Sequence, residues 1–230
     1  RWADMQALSH AETRRVPETA RTVLTGNPVR PAIAALAGVG YEPPGGQIRL
    51  LVLGGSLGAR VFSDVVPPAL AMLAVPLRAR LTVVQQCRAE DLQRVRAAYD
   101  AAGISAELAA FFPDVAARLA ASHLVISRAG ASSVAELALA GRPSVLVPLP
   151  GAIDDHQSAN ARALAEAGGA WVMKQADCTA EALAALLDRL LGDRAALAEA
   201  AAAAAGCGHA GAAAALADLV ESYIPRESGS

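Results

Sequence analysis

The chain is short of the residues that mark several common chemistries. Its 230 residues hold three cysteines, Cys87, Cys178 and Cys207. That number is odd and no pair has CxxC spacing, which argues against a disulfide framework or a zinc site and fits a reducing compartment. A single lysine, Lys174, occurs in the whole sequence, so no GxxxxGK phosphate loop can be built. A basic excess is missing as well. Twenty Lys and Arg against 22 Asp and Glu leave a net charge of −2, which supplies no broad positive field and argues against a nucleic-acid partner. No apolar run reaches the roughly 20 residues of a membrane helix, and "RWADMQALSH" lacks the order of a signal peptide, so the chain reads as soluble. There is no DxD pair and no His/Cys cluster; a divalent metal is unsupported, and no cofactor is called for.

What is present is apolar and periodic. With 54% hydrophobic residues the chain can bury a sizeable core. From Gln47 onward, short β-branched or leucine runs alternate with alanine-rich segments of helical period, which predicts βα units around a parallel sheet. Six strands are expected, at 48–54, 81–87, 106–112, 123–128, 144–149 and 170–174. Helices are expected at about 59–73, 89–102, 115–121, 133–140, 155–167 and 179–191, with two alanine-rich helical stretches after Asp193 that read as packing rather than as a site. The fold class is α/β, a Rossmann-like doubly wound parallel sheet. The sequence starts at Arg1, its first thirty residues show no strand followed by a helix, and an upstream portion is expected. "GNPVRP" (26–31) reads as an interdomain connection with a hinge near Asn27, because its prolines forbid a continuous helix. The expected division is a linker and domain remnant at 1–30, a ligand domain at 31–192, and terminal helices and tail at 193–230.

In such sheets ligands bind beyond the carboxyl ends of the strands, where helix N-termini present unpaired N–H groups. The first junction, "LGGSLGAR", has Gly54 and Gly55 ending the strand and Ser56 able to donate a hydroxyl, which suits a phosphate. A dinucleotide site wants GxGxxG and an acid at the end of the second strand; here the spacing differs and that strand closes with Gln85 and Gln86. A glycine turn with no ligand is the alternative. The fourth junction, "SRAGASSVAELALAGRPSVLVPLP", sets Ala131, Ser132 and Ser133 at a helix start with side chains too small to block a ligand. Glu136 follows on the early part of the helix, where its carboxylate can accept two ribose hydroxyls or take part in a cap with Ser132 or Ser133. At the fifth junction, "VPLPGAIDDHQSANARA", the aspartates can cap the helix, while His156 and Gln157 can bond sugar hydroxyls or phosphate. Diphosphate charge would be met by helix N-termini and arginine.

Taken together, "TGNPVR", "LGGSLGAR", the fourth-junction run and "DDHQSANA", in that order and spacing, closely resemble the donor-binding half of the MurG family. These are the N-acetylglucosaminyltransferases that complete the lipid-linked disaccharide precursor of bacterial peptidoglycan. The resemblance runs from about Thr25 to about Leu191. It implies a GT-B enzyme of two Rossmann-like domains, peripheral on the cytoplasmic face of the bacterial inner membrane. The amino-terminal domain binds the lipid-linked acceptor and carries the membrane contact, and the carboxyl-terminal one, which this chain looks like, binds UDP-GlcNAc. It implies, further, Arg30 close to the donor, Gly55 and Ser56 against it, and the main chain near Phe112 reading the uracil. Ala131, Ser132, Ser133, Val134, Ala135 and Glu136 wrap the nucleoside with Glu136 on the ribose, and His156 and Gln157 address the sugar. Leu57 departs from the family's frequent glutamine, which puts one polar contact in doubt. The catalytic base is unassigned, being expected in the amino-terminal domain.

Overall fold

The computed structural model describes residues 5–9, 13, 16–55, 59–152 and 155–223. Six strands form one parallel sheet: β3 (Ile48–Leu53), β4 (Leu81–Gln86), β5 (Ser105–Ala109), β6 (Leu124–Ser127), β7 (Ser144–Leu146) and β8 (Ala170–Val172). Their order across the sheet is β5-β4-β3-β6-β7-β8, which is the doubly wound order with one reversal of direction, between β3 and β6. The expected fold class and all six strands are borne out, each strand within a few residues of its expected span.

The sheet is parallel because the connections are helices, and helices on both faces require strands that are apolar on both faces. β3 shows this in "IRLLVL". Leu50 and Val52 face a core shared with α2 (Arg60–Ala71), α4 (Leu92–Ala101) and α8 (Ala180–Gly192). Leu51 faces the other core, shared with α5 (Val115–Ala121), α6 (Ala131–Leu139) and α7 (His156–Glu166). All three leucine and valine side chains are buried. The alanine-rich stretches are α9 (Arg194–Gly206) and α10 (Ala212–Glu221). Asp193 caps α9 by accepting the Ala196 N–H at 2.9 Å, and the buried Ala200, Ala201 and Ala204 pack it closely against the domain, where α9 meets α6 and α8. Packing is indeed what this segment does.

The first thirty residues depart from expectation. Gln6–Leu8 (β1) and Thr22–Leu24 (β2) pair in parallel as a separate two-stranded sheet. Both are three residues long, too short to show a period. The "GNPVRP" stretch runs without regular structure until Pro31 opens the one-turn α1 (Pro31–Ala34), a position where its missing N–H costs nothing. Gly26 sits at φ +77°, and a Cβ there would fall 2.5 Å from the His209 side chain. The connection is thereby clamped against the α9–α10 turn by a residue that only glycine can replace. Residues 224–230, the tail, lie outside the described residues.

Candidate functional site

The reversal point fixes where a ligand can enter. β3 and β6 are neighbours in register, Leu53 opposite Ser127, so the chain leaves both strands side by side and heads for opposite faces of the sheet. Between the two exits a crevice opens at the carboxyl edge. On one wall Gly54 and Gly55 follow β3. Gly55 has φ +80°, and a side chain there would meet nothing within 4 Å, so the backbone is bare toward the crevice. Ser56, expected to touch the donor, and Leu57 lie outside the described residues.

On the other wall, α6 begins at Ala131 with Gly130 in the extended cap position and no side-chain cap. Ala131 and Ser132 are exposed and Ser133 is half-buried, so small side chains surround first-turn N–H groups that have no intrahelical partner. The helix starts two residues earlier than the expected Ser133. That shift decides the role of Glu136. It becomes the sixth helical residue, a full turn beyond the reach of a capping box, and the capping alternative is removed. Its carboxylate instead meets Arg30, whose Nε and Nη2 donate to Oε1 and Oε2 at 3.0 and 3.1 Å. The Glu136 side chain is only 15% exposed. The structure therefore joins two expected site residues 106 positions apart, one on the connecting segment and one on α6. Val134 is buried in the core and Ala135 is half-buried. Together they line a small cavity of about 50 Å³ on the side of α6 facing Asn27, Val29 and His209.

The α7 end of the site corrects a different expectation. Gln157 comes to the crevice, but its Oε1 accepts the backbone N–H groups of Leu149 at 3.0 Å and Ala129 at 3.3 Å. Asn160 donates to the Ala129 carbonyl at 3.0 Å. These two amides bracket the peptide of Ala129 and pin the β6 exit to α7, leaving Gln157 only its Nε2 for a ligand. His156 is exposed in the first turn of α7. The aspartate cap is corrected too. Asp155 occupies the cap position with φ 53° and makes no cap bond to the backbone; its Oδ1 accepts the Ser158 hydroxyl at 2.6 Å. Asp154 lies outside the described residues.

Two features of the edge escaped the sequence. Gln86, noted only for not being an acid, accepts the Gly54 N–H at 3.3 Å and donates to the Ala110 carbonyl at 3.1 Å. It ties the ends of β3, β4 and β5 together. Arg128 is buried, and its guanidinium donates to the carbonyls of Val147 and Pro148 and to Gln175 Oε1, at 3.1, 3.2 and 2.6 Å. Burial lowers its pKa, yet an arginine stays charged. No carboxylate neutralises it among the described residues, so the edge keeps a fixed positive charge. Phe112 is buried beneath the Arg118 guanidinium, 4.0 Å from the ring centre, and Arg118 is itself held by Glu107 and Asp114. The neighbouring Phe111 is 70% exposed. Periodicity cannot tell two adjacent phenylalanines apart beyond a strand's end.

Known proteins agree with this geometry. Residues 49–220 match the glycosyltransferase family 28 C-terminal domain. A UDP-N-acetylglucosamine–N-acetylmuramyl-(pentapeptide) pyrophosphoryl-undecaprenol N-acetylglucosamine transferase of Granulibacter bethesdensis is 62% identical over 94% of this chain and 56% of its own length. The enzyme of the same name from Gluconobacter oxydans is 56% identical over 96% and 61%. The crystal structure of Acinetobacter baumannii MurG superposes with a TM-score of 0.79 at 33% identity, over 96% of this chain and 61% of that one. The chain thus spans little more than half the length of these relatives. The resemblance carried by the four junction motifs is borne out.

Proposed function

We propose, from the premise that the chain belongs to the glycosyltransferase family 28 C-terminal domain family, that it is the donor-binding half of a transferase. The reaction moves N-acetylglucosamine from UDP-GlcNAc, with inversion, to the lipid-linked muramyl-pentapeptide acceptor of peptidoglycan synthesis. The observation that carries this reading is the Arg30–Glu136 pair, which joins the connecting segment to α6, the helix that follows β6. A carboxylate has about four acceptor positions, so one bidentate guanidinium leaves room for two ribose hydroxyls and holds both oxygens in the plane that receives them.

The other parts follow from the chemistry of each wall. Bare backbone at Gly55 and the first-turn N–H groups of α6 take the diphosphate, with helix polarity and the buried Arg128 cation supplying positive charge. β5 lies two strands, about 10 Å, from β3. The uracil is assigned toward the β5 exit, a reading supported by the main-chain polar groups near Phe112 and by the apolar face of the exposed Phe111. The sugar falls toward α7, where His156 and the Gln157 Nε2 address its hydroxyls. The acceptor, the catalytic base and the membrane contact belong to the stretch of the relatives beyond this chain, on the cytoplasmic face of the inner membrane. Residues 1–30 serve as linker, 31–192 as the donor domain and 193–230 as terminal helices.

The test is calorimetric titration of UDP and UDP-GlcNAc into the 230-residue chain. One saturable site that discriminates UDP-GlcNAc from GDP-sugars is expected. A folded chain with no UDP binding would overturn the reading.

A further inference from the structure

The opposite, amino-terminal edge of the sheet carries a polar pocket of about 520 Å³, open to solvent and lined by Tyr41, Glu42, Arg49, His123 and Arg142 beside the last residues of α5. It lies at the starts of β3 and β6, the far end of the strands from the donor crevice, and the proposed reaction has no use for it. Arg142 is 2% exposed. Its Nε and Nη2 donate to the carbonyls of Leu119 and Ala120 at 2.7 and 3.0 Å, and Arg49 Nε donates to the Ala121 carbonyl. Both guanidiniums therefore sit on the C-terminal end of α5, whose dipole offsets only about half a charge. Among the described residues neither forms an ion pair. Glu42 is the one acid lining the pocket; it is exposed and makes no ion pair there either.

His123 sharpens the imbalance. Its Nδ1 accepts the Arg49 backbone N–H at 2.9 Å, so in the neutral ring the proton must sit on Nε2. That Nε2 lies 3.2 Å from Arg49 Nη2. Two donors face one another with no acceptor between them. Burial, then Arg49 and then Arg142 push the His123 pKa down to about 4, so near neutral pH the ring is neutral and donates from Nε2 alone. An oxygen that accepts from both groups would supply the missing acceptor, and an anion would also meet the surplus positive charge.

We propose that the pocket between Arg49, His123 and Arg142 is a binding site for a phosphate-class oxyanion, separate from the donor site. The anion accepts from Arg49 Nη2 and His123 Nε2 and lies in the field of Arg142. The probe is inorganic phosphate, titrated calorimetrically at pH 7 against chloride of matched ionic strength. Saturable one-to-one binding is expected in the unaltered chain. Arg49→Gln should weaken it at least about tenfold, the loss of one charge-assisted hydrogen bond. His123→Asp gives Arg49 an internal acceptor and should abolish it. UDP affinity should be unchanged in both variants, because they lie at the other end of the strands; this arm separates failure here from failure of the donor site. Sedimentation with phosphatidylglycerol vesicles distinguishes the source. Capture lost in His123→Asp and competed by phosphate assigns a lipid phosphate, whereas phosphate binding without capture assigns a soluble one. No saturable binding, or binding indifferent to both substitutions, would overturn the proposal.

Discussion

Replacing Glu136 by alanine separates the ribose grip from every structural role the residue has. In the structure its carboxylate touches one partner, Arg30, through two hydrogen bonds of 3.0 and 3.1 Å. The Arg30 side chain is 54% exposed, and an ion pair with so much solvent contact contributes about 0–1 kcal/mol. Glu136 also caps nothing, since α6 has no side-chain cap, so loss of a capping contribution is not expected. The folded chain should therefore lose no more than about 1 kcal/mol, read by urea denaturation. Binding should respond differently. A ribose hydroxyl on a carboxylate is a hydrogen bond to a charged acceptor, worth about 1.5–3 kcal/mol net, so loss of the grip should raise the UDP dissociation constant by at least roughly 10- to 150-fold. Arg30→Gln supplies the control. It leaves the carboxylate but frees its orientation, and should weaken UDP by less than Glu136→Ala while costing similar stability. Calorimetry of UDP on all three chains decides the matter. Unchanged UDP affinity in Glu136→Ala would show that the ribose lies elsewhere and that the pair merely ties the connection to α6.

Gly55→Val places a β-branched residue at φ +80°, costing about 1–2 kcal/mol of stability, and fills the open side of the crevice; UDP titration should show weakened binding beyond what denaturation accounts for. His123 has a native pKa of about 4 against 6.5 unperturbed. Between those values the unfolded chain binds more protons than the native one, so this contribution to stability is complete above about pH 6.5. It declines by up to about 1.4 kcal/mol per pH unit on the way down to about 4, and thermal melts of His123→Asn across that range should show a shallower decline. The 230-residue chain should bind UDP-GlcNAc but transfer no radiolabelled sugar to the lipid-linked acceptor, because the proposed function assigns holding the acceptor hydroxyl and taking its proton to the relatives' remaining length; robust turnover by this chain alone would move the base and acceptor site into it.

The sheet was legible because parallel strands covered on both faces are apolar along most of their length rather than at alternate positions. "IRLLVL" and "LVIS" announce themselves without any partner in view. The helices were legible for the complementary reason, with alanine and leucine recurring at helical spacing between them. Strand ends were less so. β5 stops at Ala109 rather than Phe112, since pairing with β4 ends at Gln86 and nothing in "LAAFF" marks where a neighbour runs out. The pairing of β1 with β2 was invisible, as three residues cannot display a period and each residue's partner lies sixteen positions away.

The site divides along the same line between local and distant information. Small residues before α6 and glycines after β3 are read directly from their own backbone consequences. Roles that depend on a partner far along the chain are not. Whether Glu136 can cap depended on two residues of helix start, and that start is set by Gly130 taking the extended conformation at the exit of a buried strand. Once the helix opens at Ala131, Glu136 faces Arg30 across 106 positions. Gln157 shows the converse. Its residue type suits a sugar hydroxyl, yet two backbone N–H groups from different loops converge on its Oε1. A polar side chain beside a crevice is first claimed by the loops that form the crevice, because their N–H groups would otherwise be buried without a partner. The Gln157 amide is therefore chiefly a support for Ala129, and the proposed donor site rests instead on groups that no loop requires: the first-turn N–H groups of α6, the backbone of Gly55 and the remaining lone pairs of Glu136.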